Sequence, residues 1–264
     1  MKTTIARLSL IYISIVIMSL IFTGKSFAKI NPETCVGMWL FDEGKGDIAK
    51  DSSNNGNDGT LNNDPKWVEG KFGNALEFDG SDDYVIAPDS TILNPYPYTF
   101  SAWVKLEKYG QDANVGAIVL GNYGGDVKGS IFYISNVGLL SIRVHPPSFT
   151  VASSTAIPLK QWTHIATTFE GTSLTVYVNG KEDGNGTSAG YAGGFLRHFV
   201  IAKASWFDGN YFNGIIDDIG VFNQALTEDD IERVMAEGLE KALGLTAVSP
   251  SSKFTQTWAS IKAH

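Results

Sequence analysis

The sequence predicts an all-β fold in which two antiparallel sheets pack together and one short helix lies near the C-terminus. The strongest support is residues 161–180, where two runs rich in β-branched and aromatic residues meet at residues 170–172. In the second run, apolar and polar residues alternate from Leu174 to Val178, and Asn179-Gly180 then closes the run as a tight turn. At least three antiparallel strands therefore follow one another here.

Similar short apolar runs recur along the chain between clusters of Gly, Asn and Asp, and no helical segments alternate with them. This rhythm favours two packed antiparallel sheets over a parallel α/β arrangement. The predicted strands are Val36–Phe41, Ala75–Phe78, Tyr84–Ala87, Tyr98–Lys105, Ala117–Leu120, Ile131–Ser135, Leu139–Val144, Trp162–Phe169, Leu174–Val178, Phe199–Ala202 and Phe212–Phe222.

One helix is predicted after the last strand. Thr227 precedes three acidic residues, 228–230, which is an acidic variant of the capping box. Apolar residues follow at near-helical spacing, and Gly238 or Gly244 marks the end. We expect this helix to cover an open end of the sandwich.

The two ends of the chain are predicted to lie outside the domain. Residues 1–28 combine basic residues with an apolar run and end on Ser-Phe-Ala, which is the layout of a secretory signal peptide cut after Ala28. An uncleaved membrane anchor is the alternative; with cleavage, the mature chain has no membrane segment. The domain is predicted to span residues 35–244, and residues 245–264 are predicted to form a linker and a short tail. Cys35 is the single cysteine, so no internal disulfide can form.

Charge and local composition narrow the ligand classes. The formal net charge is −8 and no basic stripe is present, which argues against nucleic acid. The loop 51–59 concentrates carboxylates, amides and glycines, the oxygen ligands that calcium prefers. The turn 79–83 and the pair Asp217-Asp218 could supply further ligands. Because neighbouring strand residues face opposite ways, one aspartate of that pair must point inward and needs a metal ion, backbone amides or a neighbouring turn as its partner.

The sequence shows no established catalytic pattern. Its four histidines are far apart, no Gly-x-Ser-x-Gly elbow is present, and no run of alternating acids marks a glycosidase strand. Aromatic residues in glycine-rich loops are better candidates for ligand contact, because an exposed ring in such a loop is expected to touch something. The candidates are Tyr123, Tyr191, Trp206, Phe207 and Tyr211. The segment 206–211 is the main candidate for ligand contact. The alternative is that this segment is a hairpin tip that packs on a neighbouring part of the protein.

Ordered blocks of the sequence resemble laminin G-like domains of the concanavalin A-like lectin/glucanase superfamily. The blocks are residues 41–46 (FDEGKG), 51–59 (DSSNNGNDG), 75–85 (ALEFDGSDDYV), 100–104 (FSAWV), 162–166 (WTHIA), 176–180 (VYVNG), 212–219 (FNGIIDDI) and 225–231 (ALTEDDI). The resemblance covers residues 36–238. It implies a two-sheet jelly roll that is secreted or displayed outside bacteria.

The resemblance also carries functional expectations. It implies a calcium ion near Asp51, Asn57 and Asp217, with a backbone carbonyl near Gly80. It further implies a non-catalytic extracellular binding module, here expected to bind carbohydrate. A domain for protein binding or adhesion is the alternative, and a glycoside hydrolase or polysaccharide lyase is a third possibility that requires two facing acids in a cleft. Fold alone does not decide between a glycan and a protein as the ligand.

Overall fold

The fold was obtained as a computed structural model, which describes residues 30–110, 116–122, 128–146, 148–188, 197–204 and 209–245. The predicted signal peptide and the predicted tail beyond residue 245 lie outside these residues. The described elements begin with a single 3-10 turn, Pro32–Thr34. The strands are β1 (Cys35–Trp39), β2 (Ile48–Ala49), β3 (Gly59–Asn62), β4 (Lys66–Glu69), β5 (Asn74–Asp79), β6 (Tyr84–Ser90), β7 (Tyr98–Leu106), β8 (Ala117–Gly121), β9 (Gly129–Ile134), β10 (Leu139–His145), β11 (Phe149–Ala156), β12 (Trp162–Glu170), β13 (Ser173–Val178), β14 (Lys181–Thr187), β15 (Arg197–Ile201) and β16 (Asn213–Phe222).

The strands form two antiparallel sheets. The first sheet has the order β14-β13-β12-β7-β16-β5-β4, and β1 also pairs with β16. The second sheet has the order β11-β10-β9-β8-β15-β6-β3-β2. β16 is the organising strand of the first sheet, because β7 lies along one of its edges while β5 and β1 share the other. This arrangement confirms the predicted two-sheet jelly roll.

The main core lies between the two sheets. Strand alternation turns Phe100, Ala102 and Val104 of β7 into it, and all three are buried. Aromatic rings join the sheets, since Phe199 of β15 stacks on Trp39 at 5.3 Å and meets Phe100 edge-on at 6.1 Å. Burial of these large rings from both sheets accounts for the stability of a sandwich that has no disulfide among its described residues.

The predicted hairpins are present. β12 and β13 pair so that Glu170 faces Ser173, which leaves a two-residue turn. β13 and β14 pair so that Val178 faces Lys181, and both turn residues, Asn179 and Gly180, have positive φ angles of 50° and 79°. Positive φ at both positions is the requirement of the type I′ turn that Asn-Gly favours.

Two short helices follow β16: α1 (Glu228–Glu237) and α2 (Leu239–Ala242). Thr227 and Asp230 form the predicted capping box, and Gly238 separates the helices at a φ of 78°. Their apolar residues pack on the outer face of the first sheet, against Ala166 and Tyr177. The expectation that the helix covers an open end of the sandwich was therefore wrong. Within the described residues, no helix is both long and apolar enough to span a membrane.

Candidate functional site

Three chain segments meet at one end of the sandwich because of the register around β16. Asn213, the first residue of β16, pairs with Asp79 at the end of β5, and Gly214 pairs with Leu106 at the end of β7. The β5–β6 turn, the segment after β7 and the segment before β16 therefore come together. They are far apart in sequence, so only the antiparallel pairing creates this surface.

A groove of about 510 Å³ lies between these segments, and we call it the aromatic groove. Its described lining is Gly80, Ser81, Lys108, Tyr109, Gly110, Ala117, Gly209, Asn210, Tyr211 and Asn213. Two half-buried tyrosines, Tyr109 and Tyr211, contribute rings, and two asparagines contribute amides. Lys108 is the one charged side chain in this described lining.

The Tyr109 ring is held by its surroundings. Its hydroxyl donates a hydrogen bond to the carbonyl oxygen of Ile157 at 2.8 Å. The ring also lies against Gly138, where a Cβ atom would come within 2.7 Å of the ring and where φ is 84°. A side chain at position 138 would thus displace Tyr109, and the backbone there favours glycine.

Tyr211 is fixed at the base of the loop between β15 and β16. The backbone N–H of Phe212 donates to the carbonyl of Ala202 at 2.8 Å, and Phe212 and Ala202 are both fully buried. The Lys203 ammonium lies 5.5 Å from the Tyr211 ring centroid and 4.5 Å from that of Tyr84. The ring therefore reaches the groove from an anchored backbone.

An acidic cleft of about 330 Å³ adjoins the aromatic groove and shares Asn213 with it. Its centre is the turn 79–83, where the carboxylates of Asp79, Asp82 and Asp83 lie within 4.8 Å of one another. The Asn213 amide donates to the carbonyl of Asp79 and thereby ties β16 to this turn. Glu77 and Glu107 also line the cleft.

The carboxylates of the turn differ in their environment. The backbone N–H of Ser81 donates to Asp79 Oδ1 at 2.7 Å, and this bond lowers the pKa of Asp79. Asp83 is buried and accepts the backbone N–H of Asp79 at 3.1 Å, and burial raises its pKa. The cleft therefore combines an exposed, readily ionised acid with a buried one.

Asp51 and Asn57, predicted as metal ligands, lie in the loop beside β1. Asp51 Oδ1 accepts the backbone N–H groups of Met38 and Ser53 at 3.0 and 2.9 Å. Asp51 Oδ2 accepts the backbone and side-chain N–H groups of Asn57, both at 2.9 Å. Four donors thus engage both carboxylate oxygens, and these hydrogen bonds join Asp51 to β1 and to its own loop.

Asp217 and Asp218 are both buried, and both accept backbone amides. Asp217 Oδ2 accepts the N–H groups of Lys71 and Phe72 at 2.8 and 2.9 Å, while its Oδ1 is buried without a hydrogen-bond partner among the described residues. Asp218 Oδ2 accepts the N–H of Leu239 at 2.8 Å, at the start of α2. A metal ion, backbone amides and a neighbouring turn were the possible partners predicted for this pair, and the partners observed are backbone amides.

Burial raises the pKa of Asp217 to about 7 and that of Asp218 to about 6. The hydrogen bonds from backbone amides act in the opposite direction, but loss of hydration is the larger effect in both cases. Both carboxyl groups therefore hold their proton to a higher pH than an exposed aspartate does.

The four predicted metal ligands do not form one coordination shell. Gly80 follows Asp79, which pairs with Asn213, whereas Asp51 binds Met38, which pairs with Gly220. Asn213 and Gly220 are seven residue steps apart along β16, which corresponds to about 20 Å. One ion cannot contact both Gly80 and Asp51, so the implied ligand set does not fit a single site.

The predicted ligand-contact residues are only partly described. Tyr211 lines the aromatic groove, whereas Tyr123, Tyr191, Trp206 and Phe207 lie outside the described residues. Tyr109, Lys108, Asn210 and Asn213 were missed by the sequence reasoning. A signal was available for Tyr109, which precedes a glycine just after a predicted strand at the same end of the sandwich.

A family model described as the concanavalin A-like lectin/glucanases superfamily, Laminin_G_3, matches residues 79–232, more than half of the chain. The chain belongs to this superfamily. Within the curated relatives, it is similar to adhesion G-protein coupled receptor D1 of Bos taurus, with 28% identity over 142 residues. That match covers 51% of this chain and only 15% of the receptor.

Several solved structures share the fold of this chain. Domain 4 of AbnA, an extracellular GH43 arabinanase from Geobacillus stearothermophilus solved in complex with arabinotriose, has a TM-score of 0.61 and 22% identity. That match covers 79% of this chain and all of that domain. The binding domain of Paraclostridial Mosquitocidal Protein 1 has a TM-score of 0.64 and 17% identity, over 77% of this chain and 52% of that one.

Proposed function

We propose that this chain is a non-catalytic extracellular carbohydrate-binding module and that the aromatic groove is its ligand site. The observation that carries the proposal is the half-buried Tyr211 ring, which lines a 510 Å³ groove together with Tyr109 and two asparagines. The extracellular placement rests on the signal-peptide pattern of residues 1–28. Mass spectrometry of the secreted chain, expected to begin at Lys29, tests that placement.

The lining of the groove suits a sugar. A pyranose or furanose ring has apolar C–H faces that pack on an aromatic ring and hydroxyls that bond to amides. Tyr109 and Tyr211 supply the rings, and Asn210 and Asn213 supply the amides. Because the neighbouring cleft carries several carboxylates and the groove itself only one lysine, a neutral oligosaccharide fits better than an anionic one.

The similarity to a sugar-bound domain supports this choice of ligand. AbnA domain 4 was solved with arabinotriose, and the match covers that whole domain. Arabinotriose is a neutral trisaccharide and is the first probe for the groove. An array of neutral and anionic glycans then tests other sugars.

The first experiment is calorimetric titration of the mature chain with arabinotriose and with array-selected glycans. Tyr211→Ala is expected to weaken binding roughly tenfold, because it removes the packing surface for the sugar ring. Tyr211→Phe keeps that surface and is the matched control, so its affinity should stay within about threefold of the original chain. The proposal is wrong if no glycan binds the original chain, or if Tyr211→Ala binds as the original chain does.

Protein binding remains the second candidate, because of the similarity to an adhesion receptor over half of this chain. It predicts a flat contact surface, whereas the described residues form a groove. Retention of a protein ligand by a chain that binds no glycan on the array would favour this second candidate.

The acidic cleft is the place to examine catalysis, since Glu77 and Glu107 line it. Glu77 is exposed, and Glu107 lies 3.6 Å from the ammonium of Lys160. The acid of a glycosidase usually lies in a buried, apolar surrounding, whereas Glu77 is exposed and Glu107 lies beside a lysine. We therefore expect no release of reducing sugar from arabinan; release that Glu107→Gln abolishes would overturn the non-catalytic proposal.

A calcium ion is the second part of the proposed function, and the turn 79–83 is the place we assign to it. Three carboxylates within 4.8 Å and the nearby Gly80 carbonyl offer the oxygen ligands that calcium takes. Excess chelator should lower the melting temperature, and Asp83→Asn should remove that response. Removal of the response by Asp217→Ala instead would place the ion at β16, and an unchanged melting curve in chelator would exclude calcium.

A further inference from the structure

A lysine links two tyrosines beside the aromatic groove. Lys203 follows β15, Tyr84 begins β6 and Tyr211 precedes β16, so three separate elements meet here. The Lys203 Nζ atom lies 4.5 Å from the Tyr84 ring centroid and 5.5 Å from the Tyr211 ring centroid. Both distances are within the range of a cation–π contact.

The backbone on either side of this contact is anchored. Ala202 donates its N–H to the carbonyl of Val119 at 2.9 Å and accepts the N–H of Phe212 at 2.8 Å. Lys203 and Tyr211 therefore leave from the two sides of one fixed loop base. With the backbone fixed, the orientation of the Tyr211 ring depends on what its side chain touches.

Lys203 contacts the Tyr211 ring without lining the groove, as far as the described lining extends. The ammonium therefore contacts a ring that itself lines the groove. A side chain that is already ordered loses less conformational entropy when the ligand binds. A contact of this kind strengthens binding without touching the sugar.

We propose that Lys203 is a positioning residue for the glycan site, holding the Tyr211 ring in its binding orientation through the Tyr84–Lys203–Tyr211 contact. This inference rests on the proposed function, because it concerns the same groove. It assigns a role in ligand binding to a residue that does not line the groove. Tyr84 serves as the second ring that keeps the ammonium in place.

The test is Lys203→Met, which keeps a similar chain length and removes the charge. Affinity for arabinotriose, or for the neutral glycan selected on the array, is expected to fall about threefold to fivefold. This decrease corresponds to the loss of one exposed cation–π contact. Lys203→Arg should restore binding, because a guanidinium also packs on aromatic rings. Lys160→Met is the matched control, because Lys160 lies at the same end of the sandwich, beside Glu107. The Lys160→Met chain should bind the glycan as the original chain does.

A double-mutant cycle separates positioning from general destabilisation. In a Tyr211→Ala chain, Lys203→Met should weaken binding no further, since the ring that Lys203 positions is gone. If Lys203→Met does not fold, Tyr84→Ala provides the second variant, with an expected loss of about twofold in affinity. Equal affinity of Lys203→Met and the original chain, failure of arginine to restore binding, or an additive cycle would each overturn the inference. If the original chain binds no glycan, it is the proposed function that fails.

Discussion

At the scale of single residues, polar side chains are buried on the outer face of the first sheet. His164 of β12 is fully buried, meets the Trp103 ring at 5.3 Å and has its Nε2 atom 2.9 Å from the Ser101 hydroxyl. Burial lowers the pKa of His164 to about 3. The ring is therefore neutral in the folded protein at neutral pH, which suits a structural role.

The buried histidine predicts a dependence of stability on pH. Between its folded pKa of about 3 and the pKa of about 6.5 of an exposed histidine, the unfolded chain binds a proton that the folded chain excludes. This contribution is fully present above about pH 6.5 and is lost as the pH falls toward 3, by up to about 1.4 kcal/mol per pH unit. When the free energy of unfolding in urea is measured between pH 4 and 7, His164→Gln should remove the part of its pH dependence that comes from this histidine.

The measured quantity is the difference in slope between the original chain and the variant. Asp217 and Asp218, whose raised pKa values give the opposite slope, are present in both chains and cancel. His198→Gln is the control for the loss of a histidine at the surface, because the His198 side chain is more than half exposed beside Asp89. Equal slopes for His164→Gln and the original chain would contradict the prediction.

At the scale of elements, the strands with a clear apolar pattern were predicted from the sequence. The strands at or near the sheet edges have a weak pattern and were not predicted. The predicted strands correspond to β1, β5 to β10, β12, β13, β15 and β16, because they bury apolar residues on at least one face. β2, β3, β4, β11 and β14 were missed. β14 reads Lys-Glu-Asp-Gly-Asn-Gly-Thr and β11 is rich in Ser and Thr, so neither shows apolar alternation.

Tertiary contacts, rather than local propensity, hold these two edge strands. The Asp183 carboxylate of β14 accepts the backbone N–H of Thr155 at 2.8 Å and its hydroxyl at 3.1 Å, which links the edges of the two sheets. Gly184 lets the strands approach, since a Cβ atom there would lie 2.2 Å from the Ala152 carbonyl oxygen. Charged residues and close packing also protect these edges from pairing with other chains.

The candidate site was harder to predict than the fold for a related reason. Tyr211 could be named because an aromatic residue in a glycine-rich loop is unusual. The partners of Tyr211 could not, because Gly80, Tyr109 and Asn213 become neighbours only through the register of β5 and β7 on β16. Likewise, no sequence pattern reveals that Asp51 accepts backbone amides through both carboxylate oxygens, or that Asp217 accepts them through Oδ2.

At the scale of the whole molecule, two apolar layers lie on either side of the first sheet. The larger layer fills the space between the sheets, and the smaller one lies between the first sheet and the helices. The smaller layer sits near the end of β16 at Phe222, whereas the aromatic groove lies at its start, Asn213. Phe222 is nine residue steps, or roughly 30 Å, from Asn213, and the start of α2 meets β16 nearer the groove, at Asp218.

This separation predicts that stability and ligand binding can be changed independently. Ile231 of α1 is 1% exposed within the smaller layer, so Ile231→Ala should lower the urea unfolding free energy by about 2–5 kcal/mol through lost burial and an internal cavity. Ile48→Ala is the matched control, because Ile48 is 38% exposed and should cost less than about 1 kcal/mol. Glycan affinity of the folded Ile231→Ala chain should equal that of the original, since the groove residues keep their contacts at the other end of β16. A loss below about 1 kcal/mol would show that the helices are not part of the cooperative fold, and a parallel loss of affinity would show that the two ends are coupled.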